Sequence, residues 1–189
     1  VQDFLEEILD NALSGVTEEE VIDKIKAFKK SFQELPSWQK GMPKRVNNLT
    51  PYTEKYHAIK GLNSPDPLKL NKSRKADKEY EHNMIPGHVT ASIHWNKLLE
   101  MNSDNYSMKI TDGMKVIVCR LRSNALNYAS VSYPTDEQQL PQWFTELPFD
   151  DALMEKSVLD KKIQNVIGAM GWDLTRIHES EAFAEFFEF

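Results

Sequence analysis

The chain has 189 residues, 40% of them hydrophobic and 28% charged, with a net charge of −6. This is the composition of a folded domain with a real core, and it excludes a disordered segment; no apolar run approaches the roughly 20 residues needed to span a bilayer. Cys119 is the only cysteine, which excludes an internal disulfide and a cysteine zinc cage and fits a reducing compartment.

The chain opens at Val1 with a helical pattern already under way, so it reads as a piece of a longer chain or one part of a split gene. Residues 2–13 place Phe4, Leu5, Ile8, Leu9 and Leu13 on one helical face, and Gly15 breaks the pattern. Thr17 with Glu20 forms a capping box. The helix behind it is predicted to run to about Leu35, with Val21, Ile22, Ile25, Phe28, Phe32 and Leu35 facing the core, and Pro36 stops it.

Residues 36–86 hold six prolines and are expected to be irregular, with a mobile basic loop from Lys69 to Lys78. Residues 87–100 fit a helix with Val89, Ile93, Leu98 and Leu99 inward. Asp112-Gly113 reads as a turn that leads into a strand at Val116, Ile117 and Val118, and Ile110 is a candidate for its partner strand. A second strand is expected around Tyr128 to Tyr133. A last helix is predicted from Asp150 or Asp151 to Met170, closed by Gly171. From Asp173 the chain is acidic and ends in four phenylalanines.

Charge is distributed unevenly. Residues 36–97 hold 11 basic and 5 acidic groups, whereas residues 1–35 hold 4 and 9, and residues 98–189 hold 8 and 15. A polyanion is bound by local basic surface, so the negative total does not exclude nucleic acid.

Three segments carry candidate chemistry. Pro43 to Leu49 offers the cations Lys44 and Arg45 and the amides Asn47 and Asn48 in a proline-bounded loop, groups suited to phosphate and sugar oxygens. The helix that starts near Gly87 carries His88, Thr90 and Lys97, with its free amides facing outward. His88 and His94 are six apart, which does not suit two ligands on one helical face, and a buried or capping role is the commoner one for each. Lys161 and Lys162 lie beside the apolar stripe of Val158, Leu159, Ile163, Val166, Ile167 and Met170.

The helix Ile25 to Phe32 leading through Leu35-Pro36 to Pro43–Leu49 and Tyr52 resembles the thumb opening of T-even-type family B DNA polymerases. His88 to Lys97 is similar to that thumb's histidine-led helix. Asp112-Gly113-Met114-Lys115-Val116 is similar to its D/E-G-x-K-V strand, and Ser157 to Trp172 to its closing helix. The matches keep the family order over about residues 20–175. Thr90 stands where the family often has a basic residue, and Ala91 where it often has glycine.

The resemblance implies an α+β fold, predominantly helical, with a small β insertion: a polymerase thumb over residues 1–175 and a C-terminal tail over 176–189. It implies a thumb that grips primer–template DNA through its backbone, with Lys44, Arg45, Asn47, Asn48, His88, Lys97, Lys161 and Lys162 near the phosphates. The tail resembles the C-terminal peptide by which such polymerases hold a sliding clamp, with Phe183, Phe186, Phe187 and Phe189 as its anchors. Further partners implied are the palm and fingers of the parent enzyme, with no membrane, in the cytoplasm of an infected bacterium.

The palm's paired aspartates, which hold magnesium against the incoming triphosphate, are not in this sequence. Tyr133-Pro134-Thr135-Asp136 does not fit their motif, and Asp150-Asp151 reads as a helix start. The segment is therefore expected to hold no catalytic residue and no cofactor of its own, its enzymatic role being that of a polymerase part. The alternative is a stand-alone phage DNA-binding or clamp-interacting protein. A metal-dependent nuclease fits worst, for want of a carboxylate–histidine set at ligand spacing.

Overall fold

The computed structural model describes residues 1–61 and 85–172, and these fall into two compact units. One is Val1–Lys40 together with the segment from Asp150 onward; the other is Gly41–Phe149. The basic stretch Lys69 to Lys78 and the four terminal phenylalanines lie outside the described residues.

The first unit is helical. Helix α1 spans Gln2–Leu13 and α2 spans Glu18–Gln33. Thr17 caps α2 reciprocally with Glu20, as the sequence predicts: the Glu20 amide donates to the Thr17 hydroxyl and the Thr17 amide donates to the Glu20 carboxylate. Ile8, Val21, Ile22, Ile25 and Phe32 are buried. The Phe4 and Phe28 rings stack at 3.8 Å. Three residues of the expected apolar face are corrected. Leu9 and Leu13 are 38% and 86% exposed, Leu13 being the last residue of α1. Leu35 is 37% exposed and falls beyond the end of α2.

Past Pro36 a 3₁₀ turn, Ser37–Lys40, ends in a lysine that is 5% exposed and paired with Asp151 at 2.9 Å. The C-terminal helix of this unit comes in three pieces. These are α6, Asp151–Glu155; a π-helical turn, Lys156–Asp160; and α7, Lys161–Ala169. Asp150 caps its start by accepting from the Leu153 amide. Gly171, at φ +72°, ends it: the Trp172 amide bonds to the Ile167 carbonyl and the Gly171 amide to the Gly168 carbonyl. Lys29 of α2 lies 3.5 Å from Glu155 and 3.6 Å from Asp160, the residues that bracket the π turn. A spacing of five, set by one π turn, brings both carboxylates to the same lysine.

The second unit wraps a three-stranded antiparallel sheet of order β1-β2-β3 with helices. Strand β1 is Met42–Arg45, β2 is Lys115–Arg120 and β3 is Ser130–Pro134. Helix α3 spans Leu49–Gly61, α4 spans Gly87–Met101, and a short α5 spans Gln142–Thr145. Trp95 and Phe144 are fully buried at the centre, with ring centroids 5.1 Å apart, and Phe149 and Tyr133 pack on Phe144. Val89, Ile93, Leu98 and Leu99 are buried as expected, and so are Ala91, Ser92, His94 and Trp95. Thus α4 is enclosed on most of its circumference rather than along one stripe.

The irregular region expected over residues 36–86 is corrected in its first half, where the 3₁₀ turn, β1 and most of α3 lie. Pro43 is tolerated because β1 is an edge strand, and Pro51 because it falls in the first turn of α3, where helical amides have no partner to lose. Ile110 is not in a strand. The Asn96 side-chain amide donates to the Ile110 carbonyl and accepts from the Ile110 amide, both at 2.9 Å, doing what a neighbouring strand would have done. The partners of β2 are β1 and β3. The fold is α+β, mostly helical with a small antiparallel sheet. Among the described residues no helix is long and apolar enough to cross a membrane.

Candidate nucleic-acid interface

Six of the eight residues marked as backbone contacts belong to the second unit. Lys44 and Arg45 do not sit in a loop, as the sequence implies, but end the edge strand β1, both exposed. Val46, which follows, is buried and clamped: its amide donates to the Met114 carbonyl, and its carbonyl accepts from Gly113 at 2.7 Å. Asn47 and Asn48 are exposed in the turn between β1 and α3, and Asn48 has φ 59°, a left-handed conformation that asparagine tolerates better than most residues. Asp112 reaches across to accept a hydrogen bond from the Leu49 amide at the start of α3. The turn that carries the two asparagines is therefore held from both sides by the Asp112-Gly113 corner.

His88 sits in the first turn of α4, half-buried. Burial, and then the charge of Lys44, hold it below the ordinary imidazole value of 6.5. The charge at the end of β1 is thus felt at the start of α4, two candidate segments far apart in sequence. Lys97 goes elsewhere. It lies nine residues along α4 from His88, about 13 Å at helical rise, with its ammonium 4.5 Å over the Tyr56 ring. It lines a cleft of about 320 Å³ with Asn96, Leu49, Thr53, Ile110 and Asp112. Lys161 and Lys162 open α7 in the other unit, both exposed.

His94 is buried and held as a packing histidine. Its Nδ1 is 2.8 Å from the Ser130 carbonyl, so that nitrogen donates, and its Nε2 is 3.2 Å from the Tyr56 hydroxyl. The Tyr128 ring stacks on it at 3.7 Å. Burial raises the phenol pKa of both tyrosines, so each keeps its proton. Thr90 turns its hydroxyl back toward the Pro86 carbonyl at 3.4 Å.

One residue of this surface was missed in the sequence: Lys115, the first residue of β2. The strand register sets Arg45 directly opposite it. It stands within the Asp112–Val116 motif, but only the pairing of two strands shows which cation it accompanies. The amide and hydroxyl of Thr135 both donate to the Lys115 carbonyl, at 3.0 and 3.3 Å, and fix the backbone at this position. Among the described residues, no group of three or more His, Cys, Asp or Glu side chains could hold a metal ion.

No family model matches this chain, and no curated protein sequence matches it either.

Proposed function

We propose that this chain is the C-terminal thumb part of a phage replicative family B DNA polymerase, which grips the primer–template duplex through its backbone. The observation that carries the reading is the run of exposed cations and amides Lys44, Arg45, Asn47 and Asn48 at the end of β1 and in the turn after it. Cations and amide donors at the end of an edge strand suit phosphate and sugar oxygens. Lys161 and Lys162 are exposed cations on α7 in the other unit, and the half-buried Lys97 lines its cleft. In this reading Phe183, Phe186, Phe187 and Phe189 dock into a sliding clamp. Duplex and clamp then act as two weak tethers whose effect multiplies. The site of action is the cytoplasm of the infected bacterium, with palm and fingers supplying magnesium and chemistry.

The test is binding of the purified chain to labelled duplexes of unrelated sequence over a salt series. Affinity is expected to fall steeply, with a log–log slope of roughly −0.9 per phosphate contacted, and to differ little between sequences. Salt-insensitive or strongly base-specific binding would refute the reading. A pull-down with the clamp, with and without residues 180–189, tests the tail.

A further inference from the structure

We infer that Arg45 and Lys115 form a two-pronged site for one phosphate group, a deepening that rests on the backbone-gripping reading above. The two residues are register partners in neighbouring antiparallel strands. Residues so paired have Cα atoms about 5 Å apart and side chains on the same face. Both are exposed, and among the described residues neither has an ion-pair partner. Like charges directly opposite across a ladder destabilise it, so this sheet carries a repulsion that its own fold does not use.

Edge protection accounts for only half of the pair. Cations on an edge strand discourage pairing with another sheet, and β1 is an edge strand. Lys115, however, lies on the central strand β2, paired in register with Arg45 of β1 on one side and bonded to Thr135 through its own carbonyl on the other. A central strand has no free edge to protect at that point. Two cations held at strand spacing, with backbones pinned on either side, suit the two unesterified oxygens of a phosphodiester. Arg45 supplies a planar fork and Lys115 a compact charge. Lys44, next to Arg45, points to the opposite face by strand alternation, toward Val116 and His88, so it is a separate contact.

The experiment uses the full chain and the variants Lys115→Gln and Arg45→Gln, with two probes: a labelled DNA duplex and inorganic pyrophosphate. Each variant is expected to bind duplex several-fold more weakly at about 0.1 M salt and with a shallower salt slope. Each is also expected to melt higher than the parent without ligand, because the repulsion is gone, and to lose the stabilisation that pyrophosphate gives the parent. If the parent binds duplex and Lys115→Gln matches it in affinity and slope, the paired site is overturned while the backbone-gripping reading stands. If no duplex binds but the pyrophosphate effect depends on both residues, the site stands and the DNA reading falls. A lowered melting temperature in the unliganded Lys115→Gln protein assigns the lysine to structure and overturns the inference.

Discussion

The Asp112 carboxylate accepts a hydrogen bond from the backbone amide of Leu49, 63 residues earlier, and so caps α3 from outside its own segment. An acid at that position satisfies an amide the helix leaves open and complements its dipole. Replacing it with alanine removes both effects and frees the Asn47-Asn48 turn. Asp112→Ala is expected to cost about 1 kcal/mol by urea unfolding, and to weaken duplex binding even though Asp112 itself repels phosphate. An unchanged or tighter complex would show that the turn needs no such support.

Gly41 has no room for a side chain. A Cβ there would stand 2.5 Å from the Ile117 Cγ2, 2.8 Å from the Val118 carbonyl oxygen and 2.9 Å from the Cys119 sulfur. Gly41→Ala must push on backbone and is expected to lose about 1–3 kcal/mol. Gly168 inside α7 meets nothing within 4 Å, so Gly168→Ala is expected to gain about 0.5–1 kcal/mol. Paired melting curves of the two variants should move in opposite directions.

Asp104 is held at a pKa of about 2, below its ordinary 3.8. Desolvation, the largest single influence, works against ionisation. Hydrogen bonds from the Ser107 amide and hydroxyl, the Trp143 indole and the Tyr106 amide outweigh it. A carboxylate depressed on folding adds stability above its unfolded pKa and loses it as pH falls through the folded one. Asp104→Asn is therefore expected to be less stable than the parent at pH 7, with the gap closing between about pH 4 and pH 2. Trp143 fluorescence offers a local readout, and a gap constant across that window would contradict the assignment.

Lys29 pairs with both Glu155 and Asp160 at the two ends of the π turn, and its side chain is only 11% exposed. Lys29→Met leaves Glu155 and Asp160 facing one another with little water, and is expected to cost about 1–3 kcal/mol. Adding Glu155→Gln should recover part of that loss. Full additivity of the two changes would mean the three groups do not act together.

Local chemistry made several features readable in advance. Thr17 with Glu20 set the start of α2, Asp150 the start of α6 and Gly171 the end of α7, because each motif completes itself within a few residues. The strand hidden by Pro43 and the helix hidden by Pro51 were not readable, since a proline's cost depends on whether its position has an amide to lose. The π turn was equally silent: the buried series Met154, Val158, Leu159, Ile163 and Ile167 fits either a regular or a widened helix until Lys29 is in place. In the candidate interface, the residue types of Pro43–Asn48 were legible, but the company they keep was not. Lys115 opposite Arg45, Lys97 turned onto Tyr56 and the Lys44 charge felt at His88 are all products of tertiary pairing.

The Lys40–Asp151 pair marks both borders of the stretch that interrupts the helical unit. Since one salt link joins them, the chain departs and re-enters at neighbouring points, the arrangement that tolerates insertion of one domain into another. Residues 41–149 are in that sense a cassette. A short turn spliced between Lys40 and Asp150 should leave a closed helical bundle, and the excised sheet-bearing piece should carry its cations, Lys44, Arg45 and Lys115, with it.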